Sequence, residues 1–219
     1  MQLGEIIENI FHINFNTQKE LTSTFLRFQE FYESPEFKGK IFTLEEYKKW
    51  YISNSLKGKE TGEFTYYKDW SGFNIPSESL KLFYRGDFDP LSDKERDFLK
   101  LFEGKRKNKL YIIGTFGESK RSLKHEVAHG LFYLNSDYRS KIKHLVNKIP
   151  SKERNKINKI LSESGGYHKE VWEDETQAHI ISGLEKMEKH GLIVSPELMN
   201  LKKEFISVFE EYSENKFSF

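Results

Sequence analysis

The chain has 219 residues, a net charge of +1, 32% charged residues and no cysteine. That balance gives no bulk field for nucleic acid or an anionic membrane, and the missing cysteine excludes disulfides and thiolate metal ligands. The length allows a substantial core in one or two compact units. No apolar run approaches the length of a spanning helix. Met1 to Phe11 lacks the basic and then apolar pattern of a secretory signal, so a cytoplasmic protein is expected.

Taken in chain order, the elements suggest a mixed α/β organisation. Residues 22–33 are aromatic, and their periodicity fits a strand or a buried helix. Thr43 to Glu46 forms a capping box that opens a helix to about Tyr51. Residues 54–63 are polar with Gly58 and Gly62, which predicts a loop. Residues 64–76 are dense in aromatics, and the cluster at 66–73 reads as core or inter-lobe packing ahead of a substrate groove. Ser92 to Glu95 is a second capping box, followed by an apolar side of Phe98, Leu99 and Phe102 and by Gly104. Leu110 to Phe116, bounded by Gly117, is the strongest strand signal. A helix follows, with its cap expected near Ser119.

Beyond that helix, residues 136–164 read as one or two polar helices broken at Pro150, then a turn at Gly165 and Gly166. Ser195 and Pro196 predict the start of a last long helix with Leu198, Leu201, Phe205, Val208 and Tyr212 on its apolar face. Phe217 and Phe219 lie past it and are expected to dock on apolar surface. The Lys105–Lys109 and Lys152–Lys159 runs read as solvated faces, so nucleic-acid binding is not expected. There is no internal repeat and no low-complexity tract.

Residues 125–129 read His-Glu-Val-Ala-His. On a helix, His125 and His129 project from one face, where their imidazoles can grip one zinc ion, with Glu126 beside it as general base. Leu123, Val127, Leu131 and Leu134 form a separate stripe facing the core. A catalytic zinc needs a third protein ligand and an open position for water. No third histidine follows at short range, because Phe132 and Asn135 stand where an HExxHxxGxxH pattern needs Gly and His. The acidic segment 170–179 also carries Val171, Trp172 and Ala178, so it reads as a buried helix whose carboxylates need a partner. Glu175 shares a face with apolar neighbours and the small Ala178, and spacing favours it as ligand. Glu170 with Asp174 makes an E-x-x-x-D alternative, and Glu173 and His179 complete the candidates.

These residues resemble the gluzincin branch of zinc metallopeptidases, in which HExxH supplies two ligands and a Glu on a later helix the third. His125 to His129 matches the first motif, and Glu175-Thr176-Gln177-Ala178 is similar to the second, E-x-x-A. The resemblance covers about residues 110–190. Many relatives carry Asp or Asn four residues after the ligand Glu, hydrogen-bonded to a zinc histidine. Here that position is His179, which either orients a ligand or binds metal itself.

The resemblance implies a zincin-like α+β domain, helix-rich overall, with a small mixed sheet and a zinc-binding helix. Residues 1–104 would form an N-terminal lobe or extension shaping the cleft, and 105–219 the catalytic region with its C-terminal amphipathic helix. One Zn2+ per chain would be held by His125, His129 and Glu175, with a water activated by Glu126 hydrolysing a peptide bond. The strand at 110–116 would border the cleft and pair with extended substrate. Tyr167 or His168 would donate to the oxyanion. The partner would be a peptide or protein substrate, without nucleic acid or membrane. The alternative is a zinc-binding regulatory or interaction module with little turnover.

Overall fold

A computed structural model describes residues 2–117, 120–164, 167–214 and 216–217. The expected cap at Ser119, the turn at Gly165 and Gly166, and Phe219 lie outside the described residues. The chain divides into two units, Met1–Glu118 and Ser119–Phe219. It is a helix-rich α+β protein with a four-stranded mixed sheet.

The first unit opens with β1 (Gln2–Ile7) and β2 (Ile10–Phe15), an antiparallel pair. Their connection places Asn9 at φ 62°, a left-handed position that Asn tolerates. Next comes α1 (Gln18–Glu33), whose N-cap Thr17 accepts from the Glu20 amide. The stretch that fitted either strand or helix is this helix. Its periodicity was ambiguous because burial reaches nearly all round it: Leu21, Phe25 and Phe28 are buried, and so are Thr24, Leu26 and Arg27.

The capping box at Thr43 and Glu46 opens α2 (Leu44–Asn54). The loop expected at 54–63 contains instead a short helix, α3 (Leu56–Thr61). The Ser55 hydroxyl accepts from the Gly58 amide at its start, and Gly62 ends it at φ 71°. The polar composition hid a turn with both its caps. The aromatic stretch becomes a 3-10 turn at Tyr66–Lys68 and then β3 (Gly72–Pro76). Tyr66 and Phe73 are buried in the core, while Trp70 is exposed. A short α4 (Lys81–Arg85) precedes α5 (Asp93–Leu101), which opens on the Ser92–Glu95 box and buries Phe98 and Leu99.

The strand expected at 110–116 is β4 (Tyr111–Phe116). It runs parallel to β2 and antiparallel to β3, giving the order β1-β2-β4-β3. β4 therefore has a hydrogen-bonded neighbour on each side. Substrate cannot add to it as a strand, because both of its backbone edges are already paired. Phe25 of α1 stacks on Phe73 at 5.6 Å and meets Phe98 edge-on at 5.1 Å. A Cβ at Gly114 of β4 would lie 2.5 Å from the Phe25 ring, so only glycine lets that ring seat on the strand.

The second unit has no strand among its described residues; its α-helices are α6 (Lys120–Leu134), α7 (Ser136–Lys148), α8 (Ser151–Ser164), α9 (Trp172–Ser182), α10 (Glu185–Lys189) and α11 (Pro196–Tyr212). Asn135 caps α7, and Pro150 separates it from α8. Ser195 caps α11, with Pro196 in its first turn. The buried stripe of α11 is Leu198, Leu201, Phe205 and Phe209; Phe209 takes the place expected for Val208. Phe217 is buried, with its ring 6.1 Å from that of Phe209. α9 packs along α6 and also touches α7, α8 and α11, which explains why it buries seven consecutive residues, Glu175 to Ile181.

Candidate metal centre

On α6, Val127 and Leu131 turn into the core, with Leu123 and Leu134 half-buried at the ends of their stripe. One helical turn separates His125 from His129, so their rings lie on the same side, centroids 4.8 Å apart. On α9, Glu175 and His179 are likewise one turn apart. Fully buried Ala128 and Ala178 offer no bulk to hold the two helices apart. Gly183, at φ 123°, ends α9, and a Cβ there would fall 2.4 Å from the Glu185 carboxylate.

Four side chains converge. His125 and His129 bring their Nε2 atoms to 3.2 Å of each other. Glu175 Oε1 lies 3.7 Å from His129 Nε2, and its Oε2 lies 4.0 Å from His125 Nε2 and 3.8 Å from His179 Nε2. The outward nitrogens are tied down. His129 Nδ1 meets Asp174 Oδ1 at 2.9 Å, and His125 Nδ1 meets Ser182 Oγ at 3.2 Å. His125 also bonds to the Ala178 backbone. These bonds place the protons on Nδ1 and leave the Nε2 lone pairs pointing at one another. Two lone pairs at 3.2 Å repel unless a cation or a proton sits between them.

The acid–base balance follows from this crowding. Burial works against charge on His129, but the Asp174, Glu175 and Glu126 carboxylates outweigh it and raise its pKa to about 10. His125 is pushed well below its ordinary value by burial and then by the charge on His129. Burial, reinforced by Lys186 and His129, lowers His179 to about 3. Without metal, a proton on His129 thus supplies the positive charge that the cluster calls for.

The residues fit a metal ion. Ligands about 2.1 Å from a tetrahedral zinc are roughly 3.4 Å apart, close to the 3.2 and 3.7 Å edges here. Imidazole nitrogens with a carboxylate suit zinc and also other first-row divalent ions. Behind them, Tyr138 donates to Gln177 at 2.8 Å, and Gln177 donates to Asp174 at 2.9 Å, so the carboxylate that holds His129 is itself held.

The remaining candidates separate cleanly. Glu170 is exposed beside His168, at 3.7 Å, and Glu173 pairs with Lys143 at 3.3 Å. Glu126 is half-buried, one residue after His125, and its carboxylate acts on His129. Of the two oxyanion candidates, His168 is exposed, and Tyr167 lines a cavity of about 30 Å³ together with His179, Lys186, Met187 and His190. A cavity of about 150 Å³ in the first unit is walled by Lys81, Tyr84, Phe102, Lys105 and Arg106 among others, with no histidine or carboxylate in its lining. His12 hydrogen-bonds to Thr115 at 2.7 Å in the sheet.

Sequence reasoning did not find Asp174, Gln177 and Ser182 as supports. Their signal is helical spacing: Asp174 and Gln177 are three apart on α9, and Ser182 lies seven after Glu175, on the same face. No family model, curated protein or solved structure matches the chain. No helix among the described residues is long and apolar enough to cross a membrane.

Proposed function

We propose that this chain is a zinc-dependent peptide hydrolase of gluzincin type, with the second unit as a zincin-like catalytic region. The observation that carries the reading is the meeting of His125, His129 and Glu175 from two helices, with Glu126 beside them. Bound zinc would polarise the scissile carbonyl and acidify a water.

The chain's own residues supply the rest. Glu126 takes the proton of the attacking water on its carboxylate and gives it to the leaving amine. Asp174 keeps His129 in the tautomer that offers Nε2 inward. Half-buried His125 and Glu126 are where the cluster reaches solvent, so a peptide or protein substrate approaches from that side. The near-neutral charge suits such a substrate better than nucleic acid, and we place the protein in the cytoplasm.

The test is Glu126→Gln in zinc-loaded protein, assayed on a quenched-fluorescence peptide library. The variant keeps one zinc and loses about 10²–10⁴-fold in turnover. Wild-type turnover by the variant removes the mechanism. One observation favours a second reading, a zinc-binding module with little turnover: His179 enters the cluster as well, and four protein ligands are the mark of a closed structural site. Zinc-loaded wild type that cleaves no peptide selects that reading.

A further inference from the structure

His179 is the one member of the cluster that the three-ligand reading leaves without a task. It is 7% exposed, and its ring makes no hydrogen bond to any described residue. His125 is tied to Ser182 and His129 to Asp174. Glu175 Oε2 lies 3.8 Å from His179 Nε2, and the His179 ring centroid is 4.8 Å from that of His125. His179 Nε2 thus faces the carboxylate on which the other imidazoles converge, and a cation between them would satisfy both.

The distances allow coordination. Two ligands about 2.1 Å from one ion are at most roughly 4.2 Å apart. The nitrogen–oxygen separations at Glu175 Oε2, 3.8 and 4.0 Å, fall inside that limit. Ligand atoms of His125, Glu175 and His179 all lie within 4.8 Å of one another, and small side-chain rotations close the remainder. His129 approaches from the other carboxylate oxygen, its Nε2 3.7 Å from Glu175 Oε1 and 3.2 Å from His125 Nε2.

We propose that His179 is a fourth protein ligand, so that the resting chain closes its metal with His125, His129, His179 and Glu175. This rests on the metal reading above and names its resting state. With His179 bound, the position that a reacting water would need would be filled by the protein, and hydrolysis would require His179 to leave it. His179 is the ligand able to leave. Its ring borders the cavity of about 30 Å³, while His129 is anchored to Asp174 and His125 to Ser182.

The experiment is zinc-edge X-ray absorption on zinc-loaded wild type, His179→Ala and His179→Gln, with the visible spectrum of each cobalt-substituted protein. Expected are three imidazoles and intense four-coordinate cobalt bands in wild type. Both variants should show two imidazoles, and their zinc affinity should fall by more than the roughly 10–100-fold that losing an outer partner costs. Melting with chelator, unchanged in His179→Gln, shows that the fold is kept. Two imidazoles and a water in wild type, with spectra unmoved in both variants, overturns this proposal and leaves the three-ligand site standing. Failure of wild type to bind zinc overturns both.

Discussion

In the first unit, buried Arg27 lies against buried Glu95 in a two-pronged pair, Nε to Oε1 and Nη2 to Oε2, each 2.7 Å. The guanidinium also donates to the Phe88 and Pro90 carbonyls, and Glu95 caps the amide of Ser92. In the second unit, buried His129 and His179 bring Nε2 to 3.7 and 3.8 Å of the buried Glu175 carboxylate, and His125 Nε2 lies 3.2 Å from that of His129. The first arrangement is complete within the protein. The second is completed by something positive. Burial of polar groups alone does not mark a site; burial of polar groups of one kind, facing inward, does.

That contrast breaks most visibly at the complete pair. Glu95→Ala strands Arg27 in the core and removes a capping box, so urea denaturation should show a loss of about 3–5 kcal/mol. A loss below about 1 kcal/mol would mean that the pair is dispensable and that the contrast between the units is weaker than it looks. In the second unit, Asp174→Asn leaves the ring of His129 in place but takes away its charged acceptor. Zinc affinity should fall about 10–100-fold by competition with a chelating dye. An unchanged affinity would mean that Asp174 does not orient the ligand.

The smallest effect is in pH. His179 in the folded, metal-free chain is held at about 3, against an ordinary value of 6.5. Between those values only the unfolded chain takes the proton, so stability falls as pH drops from 6.5 toward 3. His129 runs the other way. Held at about 10, it keeps its proton while the unfolded chain loses it, so its contribution is full below 6.5 and is lost as pH rises through about 10. With chelator present, wild type should lose stability relative to His179→Gln on the acid side and relative to His129→Gln on the alkaline side. Parallel profiles would contradict the burial of these rings as neutral and charged groups.

Sequence alone carried the local chemistry well and the partner-dependent geometry poorly. Both capping boxes, the strand at 111–116 and the helix starting at Pro196 declare themselves in a few adjacent residues. The one-turn spacing of His125 and His129 places them side by side on any helix. The character of 22–33 was undecidable because the apolar pattern fails when a helix is buried nearly all round. The two-sided pairing of β4 depends on β2 and β3, which come from distant parts of the chain. For the same reason Asp174 was read only as half of an E-x-x-x-D spacing. Its hydrogen bond to His129 exists because α9 packs on α6, and spacing within either helix does not encode that.

The central claim is that two helices together make one metal site. Elemental analysis after zinc reconstitution and gel filtration, on wild type, His125→Ala and Glu175→Ala, addresses it most directly. The account predicts one zinc per wild-type chain and well under one in each variant, although one variant alters α6 and the other α9. Zinc below stoichiometry in wild type, or full zinc in either variant, would contradict it.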